Sequence, residues 1–188
     1  MAAQTLLSRR RIRTNFTDWV RHCGFEPARH HRALIERLEK VVRGEIDRLL
    51  ICMPPGAAKS TYTSKLFPAY FLANHPSASI IAASHTTELS DKWGRYARNL
   101  IIENAADLGI TLSSDSQAAG RWQLASGGEY LAAGVGQAIL GFRADLAIID
   151  DPIRSREDAM SRGRTADHDD SHDPSSSPAH YCHRISRM

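Results

Sequence analysis

Cysteine is scarce in this 188-residue chain, and the spacing of Cys23, Cys52 and Cys182 matches neither a metal-ligand set nor a redox pair. Long apolar runs are missing too. None approaches the roughly 18 residues that a membrane-spanning helix needs. The opening residues place Arg9, Arg10, Arg11 and Arg13 after a short apolar stretch, the reverse of a secretory signal. Charge of one sign is slight: a net +3 is too small to mark a nucleic-acid binder by itself. These absences argue against a disulfide scaffold, a membrane protein and an exported one, so the expected location is the cytoplasm. Cys52, inside the apolar run Leu49-Leu50-Ile51-Cys52-Met53, reads as a buried structural thiol.

What is present is the composition of a soluble globular chain, 42% hydrophobic and 24% charged, long enough for one core. Residues 1–14 read as a flexible basic arm that could touch phosphates non-specifically. Phe16, Trp19 and Val20 share one helical face, and Leu34, Ile35, Leu38, Val41 and Val42 repeat the pattern beyond Pro27. A buried strand is expected over 46–53, a helix over 59–73 and a second strand over 79–84. A long helix opens at Thr86-Thr87-Glu88, a hairpin turns at Ser126-Gly127-Gly128, and a last strand covers 146–150. This alternation predicts an α/β fold with a mainly parallel sheet flanked by helices.

Two segments carry chemistry. In the first, a strand runs into Met53-Pro54-Pro55-Gly56-Ala57-Ala58 and Lys59-Ser60-Thr61 opens a helix, the setting of a phosphate-binding loop. Loop N–H groups and the helix N-terminus favour phosphate oxygens, Lys59 would reach the terminal phosphates, and the Ser60 hydroxyl would ligate Mg²⁺. The two glycines of the G-x-x-x-x-G-K-[ST] pattern fall on Met53 and Ala58, so Gly56 is the loop's single glycine. In the second, Leu146-Ala147-Ile148-Ile149 ends in Asp150-Asp151-Pro152, two carboxylates at the end of a strand where α/β sheets bind ligands. Asp150 suits Mg²⁺ and Asp151 the attacking water, although Asp-Asp-Pro is also an ordinary turn sequence.

In that order these blocks resemble phage terminase large subunits. The resemblance also rests on Phe25-Glu26-Pro27-Ala28-Arg29-His30-His31, on Ala83-Ser84-His85 with Gly94-Arg95 and Arg98, and on Gly134-Val135-Gly136 through Leu140-Gly141-Phe142, and covers roughly residues 15–158. It implies a RecA-like P-loop ATPase using ATP and Mg²⁺, with Lys59 and Ser60 as phosphate and metal ligands and Asp150 and Asp151 as the metal-binding and water-activating acids. Further implied are a ring homo-oligomer at a portal protein, a small terminase subunit, translocation of double-stranded DNA, and a bacterial host. Arg95 or Arg98 would serve a neighbouring subunit as an arginine finger, unless both lie on a solvated helix face. Phe16 and Trp19 read first as core and second as borders of an adenine, and His30-His31 as packing or capping groups.

Under this reading residues 15–155 form a partial ATPase domain, incomplete at its C-terminus, and no nuclease domain follows. Residues 156–188, with no apolar periodicity, read as a disordered tail whose His168, Asp169, Asp170, His172 and Asp173 do not make a metal site. A truncated prophage remnant would have this form. The alternatives are another P-loop ATPase of helicase type, or a non-catalytic fragment that binds portal or terminase subunits.

Overall fold

The computed structural model describes residues 2–136, 141–152 and 182–187. The N-terminal residues are not a flexible arm: α1 (Ala2–Thr14) is a helix that buries Ile12, and Arg9 Nε lies 3.3 Å from Asp107 Oδ1. The basic residues misled because charge alone does not reveal a docking partner. α2 (Phe16–His22) starts at Asn15, whose side chain accepts from the Asp18 N–H at 2.9 Å, a capping arrangement Asn favours. α3 (Arg29–Val42) buries Leu34, Ile35, Leu38, Val41 and Val42, the face its spacing predicts.

β1 (Arg48–Cys52) leads through a loop into a π-helical stretch (Thr61–Leu66) that continues as α4 (Phe67–Asn74). Then come β2 (Ser79–Ser84), α5 (Thr87–Glu103), α6 (Ala105–Leu108), β3 (Leu112–Gln117), β4 (Arg121–Leu124), β5 (Glu129–Gly134), β6 (Leu146–Asp150) and β7 (Cys182–Arg187). Thr86 caps α5 as expected, accepting from the Leu89 N–H at 3.3 Å. Phe16 packs on Tyr70 with ring centroids 4.8 Å apart, joining α2 to α4 in the same core as the sheet.

The seven strands run in the order β1-β7-β6-β2-β5-β4-β3. β2 pairs in parallel with both β5 and β6, whereas β4 pairs antiparallel with β3 and β5, and β7 antiparallel with β1 and β6. The sheet is therefore mixed, not mainly parallel. β3 was missed because Leu112–Gln117 is too polar to show alternation. β7 lies in the segment expected to be disordered, yet it pairs with both β1 and β6 inside the sheet; Ile185 is wholly buried there. The His168–Asp173 cluster falls outside the described residues. Cys52 is not a buried thiol: it is exposed and disulfide-bonded, opposite Cys182 in the strand register.

Strand direction decides where the loops emerge. Since β7 opposes both β1 and β6, those two run the same way, and β2 and β5 run with them. Their C-terminal ends share one rim. That rim holds the candidate site.

Candidate functional site

The loop after β1 is shaped by residues that forgo regular pairing. Pro54 and Pro55 have no N–H to donate, and Ala57 N–H donates to Pro54 O at 3.2 Å, closing a turn. Gly56 has φ +81, a conformation that glycine adopts at no steric cost. Ala58 has φ +53, left-handed backbone that an alanine enters only at a cost. Its carbonyl then accepts from the N–H groups of Thr61 (3.0 Å) and Tyr62 (3.3 Å), which starts the helix.

Asp151 is the only other non-glycine with positive φ among the described residues, at +43. The two strained positions face each other across one ion pair. Lys59, with 7% of its side chain exposed, places Nζ 2.9 Å from Asp151 Oδ1. Strained backbone kept at two adjoining points is a mark of sites where geometry serves something other than stability.

Asp150, 3% exposed, is held by two hydroxyls: Ser60 Oγ donates to Oδ1 at 3.2 Å and Ser64 Oγ to Oδ2 at 2.8 Å. A buried carboxylate needs such donors, because leaving one lone pair unmet costs roughly 1–3 kcal/mol. β2 contributes from the next strand, where His85 Nδ1 donates to Asp151 O at 3.3 Å. The result is a hollow of about 370 Å³, walled by the loop from Met53 to Thr61, by Asp151 and by Trp93 of α5.

The structure thus brings together Pro55, Gly56, Ala57, Ala58, Lys59, Ser60, Thr61 and Asp151 around the hollow, with Asp150 bonded to Ser60. Arg95 and Arg98 do not line it. Arg95 is exposed, and the Arg98 guanidinium donates to Gln117 O at 2.6 Å and to Asn99 Oδ1. Phe16 and Trp19 are fully buried core; the Trp19 indole N–H donates to Leu66 O at 3.0 Å, so neither borders the hollow. His31 does cap α3, accepting from the Ala28 N–H at 3.2 Å.

A family model described as terminase large subunit, T4likevirus-type, N-terminal, matches residues 50–166. The chain belongs to that family. The matched stretch begins inside β1 and takes in the loop, β2, α5, the β4–β5 hairpin and both aspartates, while α1 to α3 precede it and β7 follows it. Family membership associates the chain with phage DNA packaging and with an ATPase lineage. No curated protein and no solved structure matches the chain. Among the described residues no helix is long and apolar enough to cross a membrane.

Ser64, His85 and Trp93 were missed by sequence reasoning. Ser64 had a usable signal, since it stands four residues after Ser60 and shares its helical face. His85 follows β2 directly, where the rim rule for α/β sheets would have flagged it. Trp93 offered no signal beyond its helical position.

Proposed function

We propose that the hollow binds Mg·ATP and that the chain is the ATPase part of a terminase large subunit, with a RecA-like P-loop core. The observation that carries this is the convergence of Lys59 Nζ on Asp151 Oδ1 (2.9 Å) and of Ser60 Oγ on Asp150 Oδ1 (3.2 Å) at one rim. A lysine, a hydroxyl and two carboxylates at the mouth of a helix N-terminus are the groups phosphoryl transfer requires. Each has a role that its position allows. Lys59 would neutralise the terminal phosphates, while loop N–H groups and the helix end hold the others.

The fit to a metal rests on donor chemistry. Ser60 Oγ and Asp150 offer hard oxygen donors side by side, which suits Mg²⁺ bound together with phosphate oxygens. Among the described residues no group of three His, Cys, Asp or Glu side chains could hold an ion alone, so phosphate would complete the shell. When bound, Mg²⁺ neutralises charge on the transferred phosphoryl. Asp151 would then orient the attacking water and accept its proton, held at its angle by the left-handed backbone and the His85 bond. Arg95, exposed on α5, would serve a neighbouring subunit in a ring on the portal. Double-stranded DNA and the small subunit enter as partners through the family alone.

Equilibrium binding of a fluorescent ATP analogue with Mg²⁺ tests the reading. Wild type should bind and Lys59→Ala should lose at least about tenfold in affinity, roughly 1.4 kcal/mol. Asp151→Asn should bind normally and lose hydrolysis. Equal, negligible binding by wild type and Lys59→Ala would reject it in favour of a non-catalytic fragment.

A further inference from the structure

His31 belongs to α3, outside the loop and outside the hollow's walls, yet it holds the loop at two points. Its Nδ1 accepts from the Ala28 N–H, so that nitrogen carries no proton. Its Nε2 then carries the proton and donates to the Ala57 carbonyl at 3.1 Å. The ring face stacks on Tyr62 with centroids 4.4 Å apart and planes 24° apart, and the His30 ring meets it at 3.9 Å. Tyr62 is 2% exposed and lies in the π-helical stretch. One imidazole therefore grips the residue before Ala58 and the segment just after Lys59.

The position of that grip is informative. Ala58 keeps φ +53 without a glycine's freedom, so its neighbours must hold it there. We infer that His31 is a positioning residue for the phosphate loop: its Nε2–H pins the Ala57 peptide and, through Tyr62, the first helical turn, which keeps Lys59 aimed at the hollow. This rests on the nucleotide-binding reading above. It adds a dependence that the loop residues alone do not carry, on a helix lying before the family-matched stretch. A glutamine can reproduce both bonds, its amide oxygen accepting from Ala28 and its NH₂ donating to Ala57. Alanine can reproduce neither.

The test uses the full chain in four forms: wild type, His31→Ala, His31→Gln, and His31→Ala combined with Ala58→Gly. Amide hydrogen exchange is read over residues 56–62 without nucleotide, and binding of the fluorescent ATP analogue is read separately. One lost hydrogen bond predicts about three- to tenfold faster exchange in that stretch and a similar loss of affinity for His31→Ala. His31→Gln should recover most of both, and the double variant should recover part, because glycine needs no external hold. Faster exchange spread evenly over the whole chain, or Gln behaving as Ala does, would overturn the assignment. So would unchanged exchange at 56–62 in His31→Ala. If wild type fails to bind nucleotide while exchange responds as expected, the nucleotide reading falls and the loop-positioning role stands.

Discussion

Replacing Ala58 with glycine should stabilise this protein, although glycine ordinarily costs conformational entropy on folding. Ala58 holds φ +53. Left-handed backbone costs an L-residue roughly 1–2 kcal/mol, and glycine escapes that cost. Against it stands the greater freedom of glycine in the unfolded chain, about 0.4–1 kcal/mol. The difference leaves a net gain of about 0.5–1 kcal/mol. With a urea dependence of about 2 kcal/mol per molar, the midpoint should rise by about 0.3–0.5 M.

Two neighbours supply the controls. Gly56 has φ +81 and a Cβ built there would meet nothing within 4 Å, so Gly56→Ala isolates the conformational term and should lower the midpoint by a comparable amount. Ala57 is not among the positive-φ residues, so Ala57→Gly should lose about 0.5–1 kcal/mol through entropy. Urea unfolding followed by tryptophan fluorescence reads all three. If Ala58→Gly falls in step with Ala57→Gly, the backbone at 58 is not strained, and the account of the loop as a held, unfavourable conformation is wrong.

Three further outcomes rest on the same structure. Ser64→Ala removes a 2.8 Å donor from the buried Asp150 carboxylate and should cost about 1–3 kcal/mol in urea unfolding; a loss below about 0.5 would show that the carboxylate does not depend on it. Gly94→Ala would set a Cβ 2.6 Å from the Ala119 carbonyl oxygen and 2.9 Å from Tyr130 Cε1, so α5 must shift; despite better helix propensity the variant should lose about 1–3 kcal/mol, and a gain would refute the packing argument. Burial pushes the Cys23 thiol up to about 12. Its thiolate fraction at pH 8 is then ~10⁻⁴, so alkylation of Cys23 should be slow, rise about tenfold per pH unit, and become fast in urea. Rapid labelling of the folded chain at pH 8 would contradict that burial.

Much of the candidate site was legible because its signals are local. Strand, loop and helix succeed one another over residues 48–66, and the apolar run before Asp150 announces its own strand end. Periodicity found the buried faces of α2 and α3, the β2 boundaries and the hairpin turn for the same reason. The misses are all matters of what a segment meets. α1 is a helix because Ile12 and Arg9 find places against the rest of the fold, and its composition says nothing of that. His31 looked like a capping residue, and it is one; its second bond, to Ala57, spans 26 positions of sequence and no local pattern contains it. Arg98 looked available until Gln117 O claimed its guanidinium.

The deepest dependence of this kind concerns the distance between the two halves of the site. Lys59 follows β1 and Asp150 ends β6, and those strands are not neighbours: β7 lies between them, pairing with Arg48–Cys52 on one side and Leu146–Ile149 on the other. Adjacent strands sit about 4.7–4.9 Å apart, so one intervening strand sets the lysine-bearing and aspartate-bearing strands about 9–10 Å apart. Direct pairing of β1 with β6 would halve that gap and push the loop into Asp151. Leaving the gap unfilled would strip β1 of its ladder and expose the face where Ile185 is now fully buried. The Lys59–Asp151 and Ser60–Asp150 contacts therefore presuppose a strand from beyond residue 166, the last that the family match covers. The residues that would do the chemistry are written locally in the sequence; the spacing that lets them meet is supplied by a distant segment.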